Sequence, residues 1–149
     1  MTKTPMDHAL IEAEAAAARG EVPVGAVIVD PATRAIVAAA GNRTRELNDP
    51  TAHAEVLAIR AACARLGQER LTGLDLYVTL EPCAMCAGAI SFARIRRLYF
   101  GADDPKGGAV SHGPRFYGQP TCHHAPEVYD GIGGDDAARL LREFFAGRR

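Results

Sequence analysis

Short apolar runs alternate with helical segments along this chain, and their order limits the folds that are open to it. The pattern predicts helix, strand, strand, helix, strand, helix, strand, loop and helix. The first two strands, residues 24–29 and 35–40, form a hairpin, whereas helices separate the later strands, residues 76–80 and 95–101. Helical connections favour parallel pairing, so we expect an α/β fold with three layers and parallel strands in its second half.

The predicted helices are bounded by recognisable capping residues. Thr4-Pro5-Met6-Asp7 has the pattern of a capping box at the start of the first helix, and Gly20 ends that helix. Asp49 is predicted to cap the second helix, and Pro82 is predicted to begin the third. Residues 135–146 form the last helix. The predicted apolar face of the second helix consists of Val56, Ile59, Cys63 and Leu66.

Composition restricts the class of protein. With 149 residues, 48% of them hydrophobic and 23% charged, the chain has the composition of a soluble globular protein, and we expect one domain over residues 1–149. The net charge of −1 excludes a highly basic nucleic-acid coat, although not a local basic patch. No apolar stretch reaches about 18 residues, so no membrane span is expected. Four Cys, two of them in Cys83-x-x-Cys86, and no recognisable signal peptide indicate a cytoplasmic protein with a metal or redox site.

Two short motifs carry the residues best suited to chemistry. His53-Ala54-Glu55 and Pro82-Cys83-Ala84-Met85-Cys86 each lie at a predicted helix start. A helix puts Cys83 and Cys86 on one face, where the positive end of the helix dipole stabilises thiolates. Two thiolates and one imidazole make three zinc ligands and leave a fourth position for water, as in catalytic zinc sites. Glu55 diverges from His53 around a helix, so we expect it to face the water as a proton shuttle.

Each motif alone has other interpretations. A single Cys-x-x-Cys pair can be a redox pair or half of a structural zinc site, and a single His-x-Glu carries little information. Residue types, order and helix-start placement together favour a catalytic zinc centre, because a redox pair leaves His53-Ala54-Glu55 unexplained. A structural zinc domain used for binding is the alternative from another class, and it predicts four ligands and no role for Glu55.

The motifs and their surroundings carry a resemblance that covers most of the chain. The sequence resembles the cytidine-deaminase-like zinc deaminases and, within them, the bacterial tRNA-specific adenosine deaminases. The deaminase motif is highly specific, whereas guanine deaminases and other base deaminases share much of the same core. The matching stretches are residues 21–27, 41–43, 49–55, 76–83 and 100–102, with Leu140, Leu141, Phe144, Phe145, Arg148 and Arg149 near the C-terminus.

The resemblance implies a three-layer α/β/α fold whose central mixed sheet has five strands. It implies one Zn²⁺ per subunit, held by His53, Cys83 and Cys86, with Glu55 as the catalytic proton shuttle. It also implies a homodimer that deaminates adenosine to inosine at the wobble position of a tRNA anticodon loop. The alternative is a deaminase of a free base or nucleoside, such as guanine, cytosine or adenosine. The residues that match substrate-binding positions of the family are Asn42, Ala54, Val24 and Leu80.

Each of these matches has a plainer interpretation. Without the resemblance, a turn after a strand is the favoured interpretation of Asn42, and core packing accounts for Val24 and Leu80 in part. Asp104 and Lys106 match positions near the nucleic-acid strand, although an Asp-Asp-Pro-Lys turn is an ordinary solvated feature. The C-terminal helix that meets RNA in the family is matched by Phe144, Phe145, Arg148 and Arg149. Aromatic rings beside Arg suit base stacking with phosphate contacts, but Phe145 is expected to be wholly or partly in the core.

The segment before the last helix is the least explained part of the sequence. Residues 102–134 are rich in Gly, Pro and His and are predicted to form a long loop, which is often functional inside a compact domain. Between residues 107 and 126 the chain departs from the family pattern, which leaves the substrate and the role of this loop open. Cys122-His123-His124 offers three potential ligands, but residues this close rarely converge on one ion, so no second zinc is expected. Cys63 is expected in the core and His8 on the surface.

Overall fold

The computed structural model describes residues 3–147, which form a five-stranded sheet with helices on both faces. In chain order the elements are α1 (Pro5–Ala18), β1 (Gly25–Val29), β2 (Ile36–Gly41), α2 (Ala54–Leu66), β3 (Asp75–Leu80), α3 (Ala84–Phe92), β4 (Arg97–Ala102), a 3-10 turn (Phe116–Gly118), β5 (Glu127–Tyr129) and α4 (Gly134–Ala146).

The sheet has the strand order β2-β1-β3-β4-β5. β1 pairs antiparallel with both β2 and β3, whereas β3, β4 and β5 are mutually parallel. α1 and α4 contact each other on one face, and α2 and α3 contact each other on the other. The predicted three-layer α/β/α fold with a mixed five-stranded sheet is therefore confirmed. The pattern does not reveal β5, because this strand has three exposed residues inside the expected loop.

Each face of the sheet buries its own hydrophobic cluster. Ala26 and Ile28 of β1 belong to the cluster under α2 and α3, whereas Val27 and Val29 pack with α1. Successive residues of a strand point to opposite faces, so a strand covered on both sides needs a continuous apolar run. That requirement explains why every residue of Gly25–Val29 is buried.

The predicted capping box begins α1 and is confirmed. Thr4 Oγ1 accepts a hydrogen bond from the Asp7 amide at 3.1 Å, and the Thr4 amide donates to Asp7 Oδ2 at 2.9 Å. Farther along, α1 packs so closely on β1 that a Cβ on Gly25 would overlap the Ala9 carbonyl oxygen. The small residues at this contact fix the position of β1, whose first residue follows Val24 of the site described below.

The predicted start of α2 is wrong. α2 begins at Ala54 with His53 as its N-cap, five residues into the segment that Asp49 was expected to cap. Asp49 Oδ1 instead accepts hydrogen bonds from the Thr51 amide at 2.8 Å and hydroxyl at 2.7 Å. An Asp that bonds to the backbone two residues later closes a turn, so the chain reverses before the helix begins.

The predicted apolar face of α2 is correct only in part: Ile59 and Cys63 are partly buried against the core, but they are not the fully buried residues of the helix. The helix buries small residues against the sheet, which lets it approach the strands closely, and Glu55 lies on this face. The buried residues are Ala54, Glu55, Ala58 and Ala62. Val56, Ile59 and Cys63 lie half-buried on the flank of the helix, and Leu66 is 42% exposed at its end.

α3 and α4 also differ from the prediction in detail. α3 begins at Ala84 with Cys83 as its N-cap, so Pro82 precedes the helix and does not start it. At the C-terminus, Phe145 is 55% exposed, so the expectation that it could lie wholly in the core is wrong, and Phe144 is the half-buried ring. Arg148 and Arg149 lie outside the described residues. None of the helices between residues 3 and 147 is both long and apolar enough to span a membrane.

Candidate active site

The three predicted zinc ligands meet at the entrances of two helices. His53 is the N-cap of α2, Cys83 is the N-cap of α3, and Cys86 lies in the first turn of α3. His53 Nδ1 lies 3.7 Å from Cys83 Sγ and 3.5 Å from Cys86 Sγ. Within residues 3–147 this is the one group of three or more His, Cys, Asp or Glu whose ligand atoms all lie within 4.8 Å of one another.

The separations of these atoms fit a tetrahedral zinc ion. Zinc–sulfur bonds are about 2.3 Å long and zinc–nitrogen bonds about 2.05 Å long, so tetrahedral geometry separates a nitrogen ligand from a sulfur ligand by about 3.6 Å. The two observed nitrogen–sulfur distances, 3.7 and 3.5 Å, lie on either side of that value. Residues 3–147 therefore offer a Cys₂His donor set for zinc with no fourth protein ligand among them, which leaves one coordination position for water.

The two cysteines differ in acidity. A hydrogen bond from Cys86, helped by His53, lowers the pKa of Cys83 to about 4 despite the opposing effect of burial. The same hydrogen bond to the Cys83 thiolate raises the pKa of Cys86, and burial raises it further. The pKa of His53 is raised by its contact with Cys83. Cys83 is thus a thiolate near neutral pH, and binding of zinc by both sulfurs would release the Cys86 proton.

Glu55 is a buried carboxylic acid beside the three ligands. It is 4% exposed, and burial together with the nearby Cys83 charge raises its pKa to about 7. The neighbouring Cys86 thiol and the His53 ring oppose this rise in the pKa of Glu55 without cancelling it. A carboxyl group with a pKa near 7 can both accept and donate a proton at neutral pH, which general acid–base catalysis requires.

A cavity of about 250 Å³ opens next to Glu55 and the ligands. Of the predicted substrate-binding residues, Val24, Asn42 and Leu80 line this cavity. Ala54 is fully buried and does not line it. The residues that the sequence reasoning missed are Val22, Thr44, Glu81 and Gly107. Glu81 directly precedes Pro82, and Thr44 lies two residues after Asn42, but no spacing rule singles them out.

Asn42 is held in one orientation by its neighbours. Its Nδ2 donates hydrogen bonds to Glu21 Oε1 at 3.4 Å and to Thr44 Oγ1 at 3.2 Å. Glu21, which is 2% exposed, also accepts the amide hydrogens of Arg45 and Glu46. Both amide hydrogens of Asn42 are therefore committed to the protein. Asn42 is more than a turn residue, because its side chain is fixed at the cavity wall.

The candidate RNA-binding residues are divided among different surfaces. Asp104 lines the cavity, whereas Lys106 lies on the exposed turn that follows it. Phe144 and Phe145 contact each other edge to face at 5.3 Å on α4, and no residue of α4 lines the cavity. A larger cavity of about 610 Å³ lies at the opposite end of β3 and β4 and contains none of the candidate residues.

The Cys122-His123-His124 segment forms hydrogen bonds with backbone carbonyl groups and with a side chain of α3. The Cys122 thiol donates to the His124 carbonyl oxygen at 3.2 Å, and His124 Nε2 donates to the Ile95 carbonyl oxygen at 2.8 Å. The Ser91 hydroxyl on α3 also donates to the His124 carbonyl oxygen, at 2.6 Å. These contacts attach the long loop to α3.

Comparison with known proteins agrees with this site. Residues 2–102 match the family model described as the cytidine and deoxycytidylate deaminase zinc-binding region. A tRNA-specific adenosine deaminase of Agrobacterium fabrum is 64% identical over 144 residues, which cover 97% of this chain and 93% of that protein.

Solved structures agree as well. One from a study of A-to-I editing by tRNA:A34 deaminases at the wobble position of transfer RNA has a TM-score of 0.90 and 64% identity, and covers 92% of this chain and 98% of its own. The guanine deaminase from Bacillus subtilis has a TM-score of 0.66 and 34% identity, over 99% of this chain and 94% of its own. The predicted resemblance is confirmed, and the chain belongs to the family of zinc-binding cytidine and deoxycytidylate deaminases.

Proposed function

We propose that this protein hydrolyses adenosine to inosine at the wobble position of a tRNA anticodon loop. The observation that carries the proposal is its 64% identity, over nearly its whole length, to a tRNA-specific adenosine deaminase. The cavity supports it, because about 250 Å³ is below the range of about 300–1,000 Å³ typical of drug-sized ligands. Such a cavity suits one base that has been turned out of a loop.

His53, Cys83 and Cys86 are the proposed ligands of one zinc ion per subunit. When bound, the ion would lower the pKa of a water molecule and so make hydroxide available near neutral pH. Glu55 takes the proton of that water, because its carboxyl group lies buried beside the ligands with a pKa of about 7. It then delivers a proton to the ring nitrogen of adenine and helps the amino group leave as ammonia. Adenosine and water are consumed, and inosine and ammonia are formed.

The remaining cavity residues are proposed to orient the base. Asn42 is fixed by Glu21 and Thr44, so it can bond a single edge of the base. Val24 and Leu80 supply apolar contact with the ring, and the backbone at Ala54 lies at the start of α2 beside His53.

Contacts with the rest of the RNA are proposed for residues around the cavity and on the C-terminal helix. Asp104 borders the cavity, and Lys106 is an exposed cation two residues away. The exposed ring of Phe145 suits stacking on an unpaired base, whereas the half-buried Phe144 supports it. Arg148 and Arg149 would add phosphate contacts.

We also propose that the whole chain is one deaminase domain that acts in the cytoplasm, where its tRNA substrate is found, as a homodimer. An exposed aromatic ring beside a groove supports the dimer. Phe92 is 72% exposed and borders a groove of about 490 Å³. The groove walls combine apolar residues such as Val56 and Ile59 with four charged residues, Arg60, Glu69, Arg70 and Arg94. An aromatic ring with charged residues around it is typical of the centre and rim of an interaction surface. Phe92→Glu should shift the mass measured by light scattering to that of a monomer, whereas Leu47→Glu, at another exposed site, should not.

Ammonia release from a panel of substrates tests the proposed reaction. The panel contains an anticodon stem-loop with adenosine at the wobble position, free adenosine, guanine, cytosine and cytidine. The zinc-loaded protein should release ammonia from the stem-loop, and Glu55→Ala should bind zinc but release none. Ammonia from Glu55→Ala at the wild-type rate would refute the role of Glu55 as proton shuttle. A zinc-loaded wild type that releases no ammonia from any member of the panel would support a structural zinc domain instead, because such a domain has no catalytic role.

A free-base deaminase is the second candidate function. The specific observation in its favour is the 34% identity of this chain to the guanine deaminase from Bacillus subtilis. Turnover of guanine with no turnover of the stem-loop would establish this candidate. Truncation after Ala138 removes most of α4 and also distinguishes the two candidates, provided that the shortened protein folds. A free-base enzyme should keep its activity without this RNA-facing helix, whereas a tRNA enzyme should lose it.

A further inference from the structure

Glu81 is a buried carboxylate that organises the loop after β4. It follows the last residue of β3 and is 2% exposed. Its Oε1 accepts hydrogen bonds from the Asp104 amide at 3.0 Å and from His112 Nδ1 at 2.8 Å. Its Oε2 accepts the amide hydrogens of Val110, Ser111 and His112 at 3.2, 2.9 and 3.1 Å. One side chain thus satisfies donors from both ends of residues 104–112.

These contacts supply the loop with the hydrogen-bond partners that a helix or strand would otherwise provide. Residues 104–112 belong to no helix or strand, so the backbone donors of the loop need other partners. An ionised carboxylate can only accept, and therefore Nδ1 of His112 carries the hydrogen that it donates to Glu81. Gly108 passes so close that a Cβ there would overlap the Glu81 carboxyl group. The amide of Ala109 adds a hydrogen bond to the Pro82 carbonyl oxygen at 2.9 Å.

The same contacts form one wall of the candidate active site. Asp104 and Gly107 line the cavity, and the Gly107 amide donates to Asp104 Oδ1 at 3.0 Å. Glu81 also lines the cavity and stands two residues before Cys83. The carboxylate therefore joins the segment that carries a zinc ligand to the wall that faces the substrate.

We propose that Glu81 and His112 are a positioning pair that holds the Asp104–Gly107 wall in place for the RNA around the target base. Neither residue needs to touch the reacting atoms, because Glu81 acts through the backbone amide of Asp104 and His112 acts through Glu81. This inference rests on the proposed function and adds to it the residues that fix one wall of the site. It also gives residues 107–112 a role, although they depart from the family pattern.

A positioning role predicts that substrate affinity changes more than turnover. Glu81→Gln replaces one acceptor oxygen with an NH₂ group, which is a donor. This group would face either the backbone amide hydrogens or the His112 donor, so hydrogen bonds to one of the two oxygen positions are lost. His112→Ala removes one donor and leaves the backbone contact of residue 112 in place. A displaced wall weakens the binding of substrate and transition state alike, which raises KM without lowering kcat.

Steady-state kinetics on the anticodon stem-loop test this, with zinc content and melting temperature measured for each variant. We expect His112→Ala to raise KM roughly tenfold and to change kcat by less than about twofold, with Glu81→Gln equal or larger in its effect on KM. His112→Asn should restore KM, because its Nδ2 occupies nearly the place of Nδ1. His123→Ala is the matched control, since His123 is exposed and outside this network.

Hydrogen exchange provides a readout that does not need RNA. The amides of residues 104 and 110–112 should exchange faster in His112→Ala than in the wild type and recover in His112→Asn. Unchanged exchange and unchanged KM in His112→Ala would overturn the proposal, as would a loss of kcat at constant KM. If the wild type releases no ammonia from the stem-loop, the proposed function fails, and the exchange result alone decides whether the pair holds the loop.

Discussion

Replacing Glu55 with glutamine is expected to stabilise the zinc-free protein and to abolish deamination. Glutamine has the shape of glutamate but carries no charge, so it fits the same buried position without the cost of an ionised carboxylate. It cannot accept the proton of water, so the reaction loses its shuttle. Stability and activity should therefore change in opposite directions at one residue, as they do where an active site holds a strained or poorly solvated group.

The expected gain in stability follows from the pKa of Glu55. Burial raises that pKa from its ordinary value of 4.5 to about 7. At about 1.4 kcal/mol for each pKa unit, ionisation in the folded state costs about 3 kcal/mol. Between pH 4.5 and 7 the unfolded chain releases this proton before the folded chain does, so the wild type loses stability as pH rises. The full cost is present above pH 7 and is absent well below pH 4.5.

Urea unfolding of the zinc-stripped wild type and Glu55→Gln at pH 5 and pH 8 measures this difference. We expect Glu55→Gln to be more stable by about 3 kcal/mol at pH 8 and by less than about 1 kcal/mol at pH 5. Glu14→Gln, at an exposed position on α1, is the control and should change stability little at either pH. Equal stability of wild type and Glu55→Gln at pH 8 would refute the argument that burial sets the acidity of Glu55.

Three further substitutions test the site and the packing that positions it. Cys86→Ser should lower the zinc content measured by metal analysis well below one ion per chain, whereas Cys63→Ser, on the flank of α2, should leave it unchanged. Asn42→Asp should reduce kcat/KM on the stem-loop more than tenfold, because a second carboxylate replaces the amide that donates to Glu21; unchanged kinetics would contradict the orientation described for Asn42. Gly25→Ala should lower the free energy of unfolding by about 1–3 kcal/mol in urea titrations, because its Cβ overlaps the backbone of α1, and an unaltered midpoint would show that α1 can move away.

Much of the candidate site could be predicted because its residues are close in sequence and strict in type, and the structure brings the three predicted ligands together. His53, Glu55, Cys83 and Cys86 belong to two short motifs, and metal coordination tolerates few substitutes for these side chains. The capping box of α1 and the buried run of β1 could be predicted for the same reason, since each depends on local rules. β5 could not be predicted, because its three residues are exposed and show no apolar pattern. Only the pairing with β4 makes them a strand.

The errors have two physical sources: a local turn that competes with a helix cap, and contacts between segments that are distant in sequence. Asp49 has the pattern of a helix cap, but its bonds to Thr51 close a turn first, and α2 begins at Ala54. The larger apolar residues of α2 do not identify the fully buried face, because three alanines and Glu55 occupy the positions nearest the sheet. Glu81 escaped notice because its partners lie 23 to 31 residues away along the chain.

The decisive measurement is the identity of the nucleoside at the wobble position after reaction. An anticodon stem-loop with adenosine at that position is incubated with the zinc-loaded protein, digested to nucleosides and analysed by mass spectrometry. We predict that inosine replaces the wobble adenosine, that other adenosines are unchanged, and that Glu55→Ala forms no inosine. The contrary result is a stem-loop that stays unmodified when the same protein preparation is active and releases ammonia from free guanine. That result would contradict adenosine deamination on tRNA.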